Sequence, residues 1–176
     1  MNTCLELNYN NFIDKAKREI DRLRKAENEL DPVAALDHAL NAAFTVYHLL
    51  EWRQNPSSLS EKELKRLLKS EGMTFKTAHI LCKEFNSPEM NLLHGIVTHT
   101  KHATVSSLLP DKNSAPTYKP SYEDNIGYIV TEDGERLVTE SGTSIVTSQS
   151  TVTVYFGEGV ALSILERAIA EFSPLP

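Results

Sequence analysis

The chain predicts a mainly α-helical fold, an up-and-down helical bundle with a small antiparallel β insertion ahead of its C-terminal helix. Three observations carry that expectation. Apolar residues recur at helical spacing in five stretches between residues 8 and 104, the pattern alternates with a period of two between 126 and 156, and a helical stripe returns at 160–172. At 176 residues, 40% hydrophobic and 24% charged, the composition is that of an ordinary globular protein, read as a single domain over 1–176.

Each element has a local reason. In the first helix Ile13, Ala16, Ile20, Leu23 and Leu30 are spaced among Lys, Arg, Asp and Glu, which gives one apolar face and one solvated face. The second opens with Asp31-Pro32, a capping acceptor followed by proline at the first helical position, and continues to Arg53, where Asn55-Pro56 ends it. Its predicted core face is Leu36, Leu40, Ala43, Phe44, Tyr47 and Leu50. The third begins with the capping box Ser60-Glu-Lys-Glu63, stapled by Leu59 and Leu64, and stops at Gly72. A short fourth helix covers Phe75 to Phe85, and a fifth runs from Ser87-Pro88 to Thr104. Prolines 110, 116 and 120 make 106–125 a surface loop. Beyond it, Tyr128–Val130 and Arg136–Val138 flank Glu132-Asp133-Gly134 as a hairpin with a type I′ turn. Thr151–Phe156 reads as a half-buried strand, and the last helix carries Leu162, Leu165, Ile169 and Phe172 on one stripe. No internal repeat is read.

Composition excludes several functions. No apolar run approaches a membrane span, and no basic segment leads into an apolar one, so a cytoplasmic location is expected. Cys4 and Cys82 are too few and too distant for a disulfide framework or a paired-cysteine zinc motif. The net charge of −6 is uneven: residues 1–110 hold 14 basic and 14 acidic side chains, and 111–176 hold 4 and 10. Extended DNA binding, which draws on a basic stripe, is not expected. A short RNA or a nucleotide in a local cleft is compatible with this charge.

Two polar stripes stand out. Opposite the predicted core face, the second helix carries His38, Asn41, Thr45, His48 and Trp52 in place of the usual Lys and Glu, a composition suited to a cleft or partner surface. The fifth helix sets Asn91, His94, Thr98, His99, Lys101 and His102 against Met90, Leu93, Ile96 and Val97. Three readings of its histidines compete. His99 and His102 have the spacing of metal ligands, but no acidic or cysteine residue on the same turn completes a site, so no metal or other cofactor is expected. His102 or His94 has the side chain for general acid or base work near neutrality. The histidines and threonines also suit mutual hydrogen bonding or a dimer interface. His79 is read as packing or surface.

The segments Asp37-His-Ala-Leu-Asn-Ala-Ala-Phe-Thr-Val-Tyr-His-Leu-Leu-Glu-Trp52 and Leu92-Leu-His-Gly-Ile-Val-Thr-His-Thr-Lys-His102 resemble the paired core helices of HEPN-like proteins. The resemblance covers most of 8–105 and, more loosely, 126–172. It implies a homodimer with the fifth helix facing its mate across a cleft, in a prophage, toxin–antitoxin or phage-defence setting. In active HEPN ribonucleases an Arg and a His on that helix cut RNA without metal. His102 matches the family histidine, but no Arg lies upstream on this helix, which removes the fixed cation that would stabilise developing phosphate charge. The expectation is therefore a non-catalytic protein that binds a ligand or a protein partner. The alternative is a metal-independent endoribonuclease with His102 as general acid/base, assisted by His94.

Overall fold

The computed structural model describes residues 8–56, 59–101, 120–147 and 150–172. Helix α1 (Tyr9–Asn28) starts where the Asn8 side chain accepts from the Asn11 amide at 2.9 Å, and it buries Ile13, Ala16, Ile20 and Leu23 along one stripe. Leu30, with φ +57°, turns the chain sharply into α2 (Pro32–Gln54), whose N-terminus Asp31 caps at the Ala34 amide. So short a connection makes α1 and α2 an antiparallel hairpin.

Helix α2 is the centre of the molecule: α1, α4, α5, α6 and the sheet all pack on it. Its fully buried line is Ala35, Ala39, Ala42, Ala43, Val46 and Leu49, while Leu36, Leu40 and Phe44 of the predicted core face are only partly covered. Neighbours surround the helix, so its small residues take the tightest contacts.

Helix α3 (Glu61–Ser70) has the expected capping box, and Gly72 at φ +69° lies just beyond its end. It buries Leu64 and Leu68, which stand apart from the main core cluster. Helix α4 (Ala78–Phe85) lacks a cap from its own Thr77; instead Glu51 of α2 accepts from the Ala78 amide at 2.8 Å. Gln54 bonds both the amide and carbonyl of Lys76, tying the α3–α4 connection to α2. Helix α5 (Pro88–Lys101) buries Met90, Leu93, Ile96 and Val97 as expected. Helix α6 (Ala161–Ala170) returns to the bundle through Ile164, Leu165 and Ala168. Among the described residues, no helix is long and apolar enough to cross a membrane.

Before α6 lies a three-stranded antiparallel sheet in the order β1 (Pro120–Asn125), β2 (Thr151–Phe156), β3 (Gly159–Val160). Residues 120–125, expected as loop, are therefore strand, because Tyr122 and its neighbours pair along β2 with Tyr122 opposite Val154. Strand β2 alternates as predicted, with Val152, Val154 and Phe156 buried against the helices. Its Val154 amide donates to Glu27 of α1 at 3.0 Å.

At the end of the β1–β2 stem the structure corrects two expectations. The segment holds an eight-residue repeat: Tyr128-Ile-Val-Thr-Glu-Asp-Gly-Glu135, Arg136-Leu-Val-Thr-Glu-Ser-Gly-Thr143 and Ser144-Ile-Val-Thr147. The repeats close a three-leaf ring, in which the Leu137 amide donates to the Ile129 carbonyl, Ile145 to Leu137, and Ile129 back to Ile145, at 2.8 to 3.0 Å. Thr131, Thr139 and Thr147 each donate their amide at the base of a leaf, to the carbonyls of Glu135, Thr143 and Gly127. The third leaf is the stem itself, since Tyr128 pairs with Val146.

The hairpin from Val130 to Arg136 is present, but its turn is not type I′. Only Gly134 has positive φ, at +84°, so the leaf is a type I turn followed by a glycine bulge, and Gly142 at +82° repeats it. Phe156→Ala, at a fully buried position, is expected to cost about 3–5 kcal/mol, whereas Ser60→Ala at the α3 cap costs about 1 kcal/mol. Urea midpoints of the two variants check this ranking.

Candidate functional site

Helices α2, α4 and α5 bring together a group of polar and aromatic side chains. His94 on α5 stacks against the Tyr47 ring of α2, with centroids 5.6 Å apart and planes inclined by 26°, and its Nε2 is 3.0 Å from Nδ1 of His79 on α4. One ring donates and the other accepts, so the two neutral imidazoles share one proton between their facing nitrogens. The pair is placed by the contacts around it, with the Glu51 cap fixing the start of α4 and Ala78 and Cys82 seated in the core beside Met90 and Leu93 of α5.

The electrostatics follow from this enclosure. Burial pushes the pKa of His94 below the usual imidazole range, and His79 and Lys83 lower it further. Burial, then Lys83, lowers His79 in the same direction. The Tyr47 phenol is raised far above its ordinary value by burial, so it stays protonated. Burial drives the Cys82 thiol up to about 11, and its Sγ–H donates to the Met90 carbonyl at 3.2 Å, which leaves an unreactive thiol. At neutral pH the two imidazoles, the phenol and the thiol are uncharged and able to donate and accept hydrogen bonds, and the cation close enough to act on both rings is Lys83 of α4.

The residues named from sequence divide into three groups. His94 lies in the cluster with Asn91 at its margin, where Asn91 Oδ1 is 3.5 Å from Cys82 Sγ and the residue is exposed. Thr98 is half-buried one helical turn further along α5. His102, and with it the proposed acid/base position, lies outside the described residues, as do the side chains of His99 and Lys101.

The α2 stripe faces α1 over much of its length. Glu19 Oε2 is 3.1 Å from His38 Nδ1, Lys15 donates to Thr45 Oγ1 at 2.6 Å, and Trp52 stacks on Phe12 with centroids 4.1 Å apart. Thr45 in turn donates to the Asn41 carbonyl, and His48 Nδ1 is 2.8 Å from the Phe44 carbonyl. Asn41 itself is exposed. His38, Thr45 and Trp52 therefore contribute to the α1–α2 interface; Trp52 also borders a cleft of about 430 Å³ shared with Leu59, Leu64 and Phe75.

Sequence reasoning missed His79. Its partner is fifteen residues away on another helix, and no spacing rule within one element signals such a pair. Among the described residues no group of three or more His, Cys, Asp or Glu is placed to hold a metal ion.

Because both imidazoles have lowered pKa values in the folded state, the unfolded chain binds more protons as pH falls below the ordinary histidine value of 6.5. The stabilisation present above that value is lost as pH drops through the folded values. His94→Gln is expected to flatten this loss, so thermal melts between about pH 7.5 and pH 5 should converge for variant and wild type at the acid end. A parallel pH dependence in the two proteins would show that the pair is not desolvated. No family model matches the chain, and neither does any curated protein or solved structure.

Proposed function

We propose that this protein is a divergent HEPN-like protein that binds without catalysis, using the exposed polar side of α5 to contact a ligand or a protein partner. The observation that carries this reading is the His79–His94 pair. An RNA-cleaving version of this site needs a positive charge near the scissile phosphate, and the only titratable group on α5 upstream of Thr98 that is able to replace the missing Arg is His94. Its nitrogen is committed to His79, and burial holds it neutral at physiological pH. A neutral imidazole binds by hydrogen bonding but does not stabilise a developing phosphate dianion as a guanidinium does.

Asn91 and Thr98, exposed and half-buried on the same helix, extend the hydrogen-bonding surface beyond the pair. Uncharged donors and acceptors of this kind fix the orientation of a bound group without demanding a charged partner.

The test is incubation of wild type, His94→Ala and His102→Ala with labelled single-stranded RNA and tRNA in EDTA. All three are expected to leave the RNA intact. Cleavage by wild type that disappears in a folded His102→Ala protein overturns the binding reading and favours a metal-independent endoribonuclease with His102 as general acid/base.

A further inference from the structure

The segment that carries α3 is held firmly at its two ends and loosely in between. Asn55, just past the end of α2, bonds both backbone groups of Leu59: its Nδ2 donates to the carbonyl at 2.9 Å and its Oδ1 accepts from the amide at 2.8 Å. Its neighbour Gln54 bonds both backbone groups of Lys76 in the same way. Residues 59–76 therefore hang from two consecutive side-chain amides. Every other helix packs closely on at least two elements, whereas α3 packs closely on none, and its buried Leu64 and Leu68 lie outside the main core cluster.

Between this segment and the end of α2 lies the cleft of about 430 Å³. Packed helices leave few voids larger than a water molecule, but here the two clamps hold α3 at a distance that keeps the space open. Its volume is in the range of small-molecule sites. Trp52, Leu59, Leu64 and Phe75 give it aromatic and aliphatic walls, and the stacking of Phe12 on Trp52 fixes the indole in place.

The charges in the lining do not balance. Glu61 and Lys65 pair with each other along α3. Glu51, half-buried at the α2 side, is left as the one lining carboxylate without a cation among the described residues. Its Oε1 accepts from the Ala78 amide at 2.8 Å, and its Oε2 accepts from no described group. A carboxylate partly withdrawn from water beside aromatic rings favours a cation with an apolar body, because the cation meets both the carboxylate and the negative ring faces.

We propose that this cleft binds a small organic monocation, an aryl- or alkylammonium whose apolar part fills the space under α3 and whose nitrogen donates to Glu51 Oε2. An anion is repelled by Glu51, and a neutral apolar molecule covers the carboxylate without pairing it. The site shares no residue with the polar side of α5, so it does not depend on whether α5 contacts RNA.

Trp52 is the only tryptophan of the chain, so its emission reports occupancy of the cleft. The probes are phenethylammonium, its neutral isostere phenethyl alcohol and the anion hydrocinnamate, each titrated into the full chain up to about 10 mM. Phenethylammonium is expected to give a saturable change, the alcohol to bind about fivefold more weakly, and hydrocinnamate to give none. Glu51→Gln keeps an oxygen to accept from the Ala78 amide and removes the charge, so its melting should match wild type while ammonium and alcohol bind alike. Phe75→Ser, at an exposed position that leaves the Glu51 cap intact, is expected to weaken both probes. Absence of a saturable change with phenethylammonium overturns the proposal, as does an alcohol or anion that binds wild type as tightly. So does a Glu51→Gln protein that keeps the ammonium preference, or a Phe75→Ser protein with unchanged affinity.

Discussion

The enclosure of α2 is the constraint on which the rest of the structure depends. A helix that meets α1, α4, α5, α6 and the sheet keeps a narrow exposed line at Val33, Asp37 and Asn41, and the residues that permit this close packing are alanines. Ala35, Ala39, Ala42 and Ala43 are fully buried. Each removes little apolar area from water, so their value lies in letting neighbouring backbones approach and in the dispersion contacts that close approach allows. Larger side chains at these positions would push several elements apart at once, because each neighbour is also packed on another. Strand β2 completes the enclosure with Val152, Val154 and Phe156, and the Glu27–Val154 hydrogen bond ties its backbone to the end of α1.

The chemistry of the histidine pair is a consequence of that packing. The last turns of α2 hold α4 by two polar devices, the Glu51 cap and the Gln54 clamp on Lys76. With α4 held there, His79 meets His94, and Tyr47 covers the second ring. Desolvation then favours the neutral imidazole over the imidazolium in both rings. The same contacts that give the bundle its order thus favour the uncharged form of both rings.

The parts of the fold legible from sequence were those decided within a few residues. The Asp31-Pro32 start, the Ser60–Glu63 box, the Gly72 stop and the alternation of Val152, Val154 and Phe156 are local devices, and each is present. The α2 stripe read as a cleft is different, because His38, Thr45 and Trp52 find Glu19, Lys15 and Phe12 on α1. A helical wheel reports which residues share a side but not which helix comes to lie there. His79 was obscure for the same reason. The eight-residue repeat is visible in the recurrence of Val-Thr at 130, 138 and 146, yet its unit is well short of the roughly 20–50 residues of the repeats that build solenoids and propellers. In the first leaf, Asp-Gly signals a turn in either geometry; the sign of φ at Asp133 separates type I′ from a type I turn with a bulge, and sequence does not fix it.

The leaves carry four of the ten carboxylates in the acidic last third of the chain. The ring closes through backbone hydrogen bonds between its three central residues, so it needs no core of its own, and its outward side chains are free to vary without loss of the closure. Two leaves carry glycine at positive φ and carboxylates that form no ion pair among the described residues, and Ile129, Val130, Leu137, Val138 and Ile145 are exposed. A sheet edge with exposed apolar residues is an aggregation hazard unless it is blunted, and charge is one way proteins blunt it. Here the ring closure removes the free edges and the carboxylates repel like copies.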